Sequence, residues 1–142
     1  MSPAARIEFV DAPDEEQIEA VLNIIGEAAE RQRPGANYRS YGFLLKDETG
    51  AIIGGLTGYA LYEWMFVQYL SVAEEARGRG LGEALIERAE AWGREQGLGG
   101  MWLETFDFQA PDFYRKIGFV EFGAIENHPS GSRRIFFQKR FS

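Results

Sequence analysis

Arg77-Gly78-Arg79-Gly80-Leu81-Gly82 alternates three glycines with two arginines where an apolar run gives way to a helical pattern. Glycine lets a backbone turn tightly with its N–H groups facing inward, and a helix that starts there adds unsatisfied donors and its positive dipole end. The stretch therefore reads as an anion cradle, and a pyrophosphate is its natural guest. Two common phosphate motifs do not fit. No Lys-Ser or Lys-Thr follows the glycines, as a Walker A loop requires. A dinucleotide fingerprint needs glycine three residues after Gly80, where Glu83 stands.

The spelling that fits is Arg-Gly-x-Gly-x-Gly, closing an apolar strand with Leu70 and Val72 and opening a helix. It resembles the acyl-CoA loop of the GNAT superfamily of N-acetyltransferases. Farther along, Phe113-Tyr114-Arg115-Lys116-Ile117-Gly118-Phe119 is similar to the Tyr-x-x-x-Gly-Phe segment of the same enzymes. The two segments stand in the family's order and spacing, and with the strand before the loop they cover about Leu70 to Phe122.

This resemblance implies an opening where the strand ending at Val72 splays from the strand ending at Thr105, with pantetheine lying in it. Backbone groups of Leu70 and Val72 would pair with the pantetheine amides like an added strand. Amides from Arg77, Gly78, Arg79, Gly80, Leu81 and Gly82 would hold the pyrophosphate. Arg77 and Arg79 would supply side-chain charge, or either would face solvent. Tyr114 matches the family tyrosine that protonates the departing thiolate, its alternative being a core aromatic beside Phe113. Many members carry a pantetheine-binding asparagine where this chain has Asp107, and Gln109 is the candidate replacement.

Glu104 is the candidate base, because it is the only ionisable group in Met101-Trp102-Leu103-Glu104-Thr105 and precedes Tyr114 by ten residues. In the similar ribosomal-protein N-terminal acetyltransferases, a strand glutamate at nearly this place has that role. Desolvation there would raise its basicity. The alternatives are a glutamate exposed at the strand end or one reaching an arginine, with Glu63 or a water chain as the base. His128, the sole histidine, lies before Pro-Ser-Gly and reads as a solvated loop residue. Tyr38, Tyr41, Tyr59, Tyr62 and Trp64 are packing residues or walls of an acceptor pocket.

The elements that must position these groups follow in order. Arg6–Val10 is a strand candidate, and Pro13-Asp14-Glu15-Glu16 starts a helix with Ile18, Val21, Leu22 and Ile25 as its apolar stripe. A polar loop follows around Gln32–Asn37. Tyr41–Leu45 and Ala51–Tyr59 form an antiparallel hairpin across Asp47–Gly50. Leu61–Val72, nearly apolar on both alternating sets, reads as a central strand covered on both faces and running directly into the glycine loop. Leu81–Gln96 is a helix, and Met101–Thr105 lies parallel to the strand before it. A short helix at Ala110–Lys116 precedes strands at Phe119–Phe122 and Arg134–Phe141. The fold class is α/β, a GNAT-like mixed sheet with an antiparallel amino-terminal half, parallel splayed central strands and flanking helices.

The 142 residues suit one domain, and 14% aromatic content suits a packed core. A formal net charge of -7 disfavours nucleic acid, whose binding rests on clustered positive charge. With no cysteine, a cysteinyl acyl intermediate is excluded. No stretch approaches the ~18 apolar residues that span a bilayer, and the first residues lack a signal core. The expectation is a cytoplasmic N-acetyltransferase taking acetyl-CoA and a primary amine, on a small molecule or a protein, by direct attack in a ternary complex. The alternative is a catalytically weak acyl-CoA-binding sensor or interaction module. The acceptor stays open, as does a homodimer.

Overall fold

The computed structural model describes residues 4–142. The described residues up to Ala36 form one compact unit and Asn37–Ser142 another. The first unit is built on α1 (Glu15–Gln32), whose start follows from its acids. Asp14 accepts from the Gln17 amide at 2.9 Å, and Gln17 returns a bond to the Asp14 amide at 3.0 Å, closing a capping box. Arg6–Val10, expected as a strand, belongs to no strand. Alternating apolar residues form a strand only when a neighbour completes the ladder, and five residues cannot supply one themselves.

The second unit is a six-stranded sheet in the order β1-β2-β3-β4-β6-β5. Its strands are β1 (Arg39–Lys46), β2 (Ile52–Leu61), β3 (Trp64–Val72), β4 (Gly100–Phe106), β5 (Val120–Glu126) and β6 (Arg133–Arg140). All pairs are antiparallel except β3 with β4. Helix α2 (Leu81–Glu95) makes the crossover between that parallel pair, and α3 (Pro111–Lys116) follows β4. The expected mixed sheet is what forms, with a core centred on Leu56, Met65, Ile86, Met101, Leu103 and Phe137. No helix among the described residues is long and apolar enough to cross a membrane.

Four local expectations are corrected. Leu61–Val72 is not one run: Tyr62 and Glu63, at φ +48° and +65°, turn the chain between β2 and β3. Between β3 and the glycine loop stands a 3-10 turn at Glu74–Ala76. β5 runs past Phe122 to Glu126. Finally, β3 is not evenly covered on both faces. Thr57 pairs with Tyr69 but Gly58 pairs with Val67, so Gln68 is an additional residue and forms a β-bulge.

The bulge moves the inward set from Met65 and Val67 to Leu70 and Val72, which pack against the core. It also bends β3 away from β4. The parallel ladder joins only Trp64–Phe66 to Gly100–Trp102, and the two strands separate beyond it. Gly58 and Tyr41 fit the bulge closely. A Cβ at Gly58 would fall on the Phe66 carbonyl oxygen, while the Tyr41 hydroxyl donates to that same oxygen at 2.9 Å. Gly58→Ala is expected to destabilise the protein by about 2 kcal/mol or more, since the neighbour it strikes is backbone. Urea unfolding checks this, and an unchanged midpoint would mean the bulge does not depend on close approach at Gly58.

Candidate active site

Where β3 and β4 diverge lies a cleft of about 630 Å³, walled by Val67–Val72 on one side and Leu103–Thr105 on the other. Arg77, Gln109, Ala110 and Tyr114 complete its lining. Since β4 pairs with β3 only through Phe66, the β3 backbone groups that point away from β2 face this cleft without a ladder partner. Such an edge accepts an extended chain bearing amides. Leu70 and Val72 lie on it as expected.

At the foot of the cleft the Arg77 Nε–H donates to the Val72 carbonyl at 2.9 Å, so this arginine fastens the loop to the strand end. Gly78 and Gly80 stand at φ +81° and +73°, and a Cβ on either would meet nothing within 4 Å. Conformation, not crowding by this chain, therefore requires glycine there, and open space faces both residues. Gly80 is the N-cap of α2 and no side chain caps that helix, leaving the amides of Leu81, Gly82 and Glu83 without intrahelical acceptors. These donors and the strand edge fit a pyrophosphate joined to an amide-bearing arm. Arg79 is placed differently: it is exposed, outside the cleft lining, with Nη2 3.5 Å from the Glu75 carbonyl.

Tyr114 is brought to the cleft by α3, where Pro111 occupies the first helical position. Its ring meets Phe113, Phe119 and Phe137 at centroid distances of 5.2, 5.7 and 6.0 Å. Burial pushes its hydroxyl above the ordinary tyrosine range, so it holds its proton at neutral pH. Core packing and a place in the cleft are thus properties of one residue.

Glu104 also lines the cleft, and it does reach an arginine: its Oε1 pairs with Nη2 of Arg134. Gln109 curls back over the end of β4, its Oε1 accepting from Phe106 N at 3.0 Å and Thr105 Oγ1 at 3.1 Å. That leaves its NH₂ as the donor for a ligand. Asp107 stands outside the lining, its amide bound to Arg133 O at 3.0 Å. Glu63 sits in the β2–β3 turn, at the paired end of the strands and away from the cleft. Sequence reasoning missed Arg134, and no local signal marks it. It joins Glu104 because β6 inserts between β4 and β5, setting Phe106 opposite Arg134.

This chain matches the family model described as the acetyltransferase (GNAT) family over residues 7–119 and belongs to that family. It is 46% identical over 85 residues to the blasticidin-S acetyltransferase of Streptomyces morookaense. That match covers 59% of this chain and only 62% of the relative's own length. A crystal structure of an acetyltransferase from Bacillus cereus superposes with a TM-score of 0.79 at 29% identity, covering 94% of this chain and 97% of that one. A Bacillus anthracis structure described as a streptothricin acetyltransferase in complex with acetyl coenzyme A shares the fold, with a TM-score of 0.64 at 24% identity over 72% and 63% of the two chains. GNAT acetyltransferases use acetyl-CoA, the donor that the cleft and loop fit.

Tyr41 and Tyr114 are both raised by burial, so their linkage to stability has a definite sign. Their contribution is fully present below about pH 10, where the unfolded chain's tyrosines still hold their protons. It is lost as pH climbs from there toward the folded values. Stability is expected to fall above about pH 10, and less steeply in Tyr114→Phe, as urea titrations from about pH 8 to 11 will show. Parallel curves for the two proteins would place an ordinary tyrosine at this position.

Proposed function

We propose that the protein transfers the acetyl group of acetyl-CoA to a primary amine by direct attack, with Glu104 and Tyr114 on the two sides of the proton traffic. The observation that carries this is the cleft itself: one opening is lined by an unpaired strand edge, a carboxylate and a tyrosine whose proton is firmly held. The donor supplies an activated acyl group on a sulfur that leaves more readily when protonated. The residues of the chain bind, orient and move protons around it.

The β3 edge at Leu70 and Val72 and the NH₂ of Gln109 hold the amide-bearing arm. Arg77 with the backbone from Gly78 to Gly82 holds the pyrophosphate, and Arg79 adds charge from the rim. The Glu104 carboxylate takes one proton from the incoming ammonium, so that nitrogen arrives with its lone pair free. It takes charge-neutralising company from Arg134 while it waits. The Tyr114 hydroxyl gives its proton to the departing sulfur, the acylated nitrogen sheds its second proton to solvent, and the phenolate recovers one from solvent while Glu104 releases the first. The sum is acylated amine, free thiol and one released proton.

The family match runs from residue 7 to 119, through both compact units, which supports one acetyltransferase domain across 1–142. The similarity to a blasticidin-S acetyltransferase makes small amine-bearing antibiotics the first acceptors to try, blasticidin S before the others. A sensor that binds acetyl-CoA without turnover has no observation in its favour, since both proton-handling groups line the cleft.

Release of CoA thiol in the presence of blasticidin S is the direct assay. Tyr114→Phe keeps the ring contacts and is expected to lower turnover on the order of a hundredfold with acetyl-CoA affinity nearly intact. Gly80→Val forces a β-branched residue into φ +73° at the cradle and is expected to weaken acetyl-CoA binding in a protein that still folds. Thermal shift should respond to acetyl-CoA and not to ATP. Undiminished turnover in Tyr114→Phe, with chemistry rate-limiting, would make the tyrosine a packing residue alone.

A further inference from the structure

Arg134 is held beside Glu104, which lines the cleft, by three groups from two segments, β4 and the β5–β6 loop. Its Nη2 pairs with Glu104 of β4, and the pair is only partly open to solvent, at 33% and 26% exposure. Its guanidinium carbon lies 5.4 Å from the centre of the Phe106 ring, which supports the planar group from below. Its Nη1 is 3.4 Å from Nε2 of His128, in the β5–β6 loop. The His128 ring in turn meets Phe106 edge-on at 5.6 Å. Arginine only donates, so in this contact Nε2 of His128 is the acceptor. Arg133, next in sequence, is occupied elsewhere by Glu121 and Glu126.

We infer that Arg134 selects the acceptor, and that the site takes amines carrying a carboxylate close to the amine. The inference rests on acetyl transfer at Glu104. A simple ammonium that approaches Glu104 finds the carboxylate already paired and meets the positive guanidinium beside it. An acceptor with both charges exchanges one ion pair for two: its carboxylate takes the guanidinium edge, and its ammonium takes Glu104. The planar fork of Arg134 suits a carboxylate, and its stacking on Phe106 keeps that fork oriented. Arg134 is thus a specificity and positioning residue, and the chemistry stays with Glu104 and Tyr114.

The test compares glycine, β-alanine, phenylalanine and lysine, each beside its carboxamide, as acceptors with acetyl-CoA. The carboxamide's amine is the less basic and arrives unprotonated more often, so intrinsic reactivity works against the expected result. The wild-type protein should favour the carboxylate form by about tenfold or more, mainly in KM. Arg134→Met should erase that preference with acetyl-CoA affinity unchanged, and Arg134→Lys should keep part of it. Equal use of the two forms by wild-type protein overturns the inference and needs no variant. So does an Arg134→Met protein that loses activity equally on both forms, the mark of a structural role. Failure of every acceptor with acetyl-CoA still bound in calorimetry also overturns it, whereas absent acetyl-CoA binding would overturn the reading of the cleft beneath it.

Discussion

The single additional residue in β3 is the constraint on which the site depends. Without the bulge at Gln68, β3 and β4 would continue the ladder begun at Trp64–Phe66, and their backbone groups would satisfy each other. With it, the strand bends, the inward set shifts to Leu70 and Val72, and an edge opens that an extended ligand can pair. The bend is tolerated because its surroundings are shaped for it. Glycine at position 58 allows the backbones to approach, and the Tyr41 hydroxyl satisfies Phe66 O while its ring stacks on Trp92 of α2 at 5.1 Å.

Electrostatics then divides the labour within the cleft. Tyr114 is surrounded by aromatic rings, and their low polarity disfavours its phenolate, so the hydroxyl stays a proton donor. Glu104 has the opposite environment, a guanidinium in direct contact. Two ionisable groups ten positions apart in the chain thereby stand in opposite environments. At the foot, Arg77 serves less as a free charge than as a strut, since its Nε–H binds the last carbonyl of β3.

Most of the architecture was legible from local signals. The capping acids of α1, the Asp47–Gly50 turn, the helix after the glycine loop and the parallel strand beyond it all lie where their residues put them. The two motif segments were legible for the same reason, because a glycine at positive φ or a tyrosine in a helical turn is specified by residues next to it. Arg6–Val10 shows the limit, since alternation does not itself provide a partner strand.

The sequence by itself determined which candidate proton-handling groups the chain offers, the loop conformation that glycine permits, and the order of elements that makes the crossover right for a parallel pair. Only the tertiary structure decided where β3 bulges, because register depends on the pairing of Thr57 and Gly58 with residues about ten positions away. It alone decided that Gln109 and not Asp107 faces the cleft, and that Glu63 stands at the far end. It also decided that Glu104 meets Arg134, thirty residues later, because β6 enters the sheet beside β4. Local propensity is a property of neighbours in the chain, whereas ion pairs and cleft walls form between strands whose adjacency is set by burying the whole sheet.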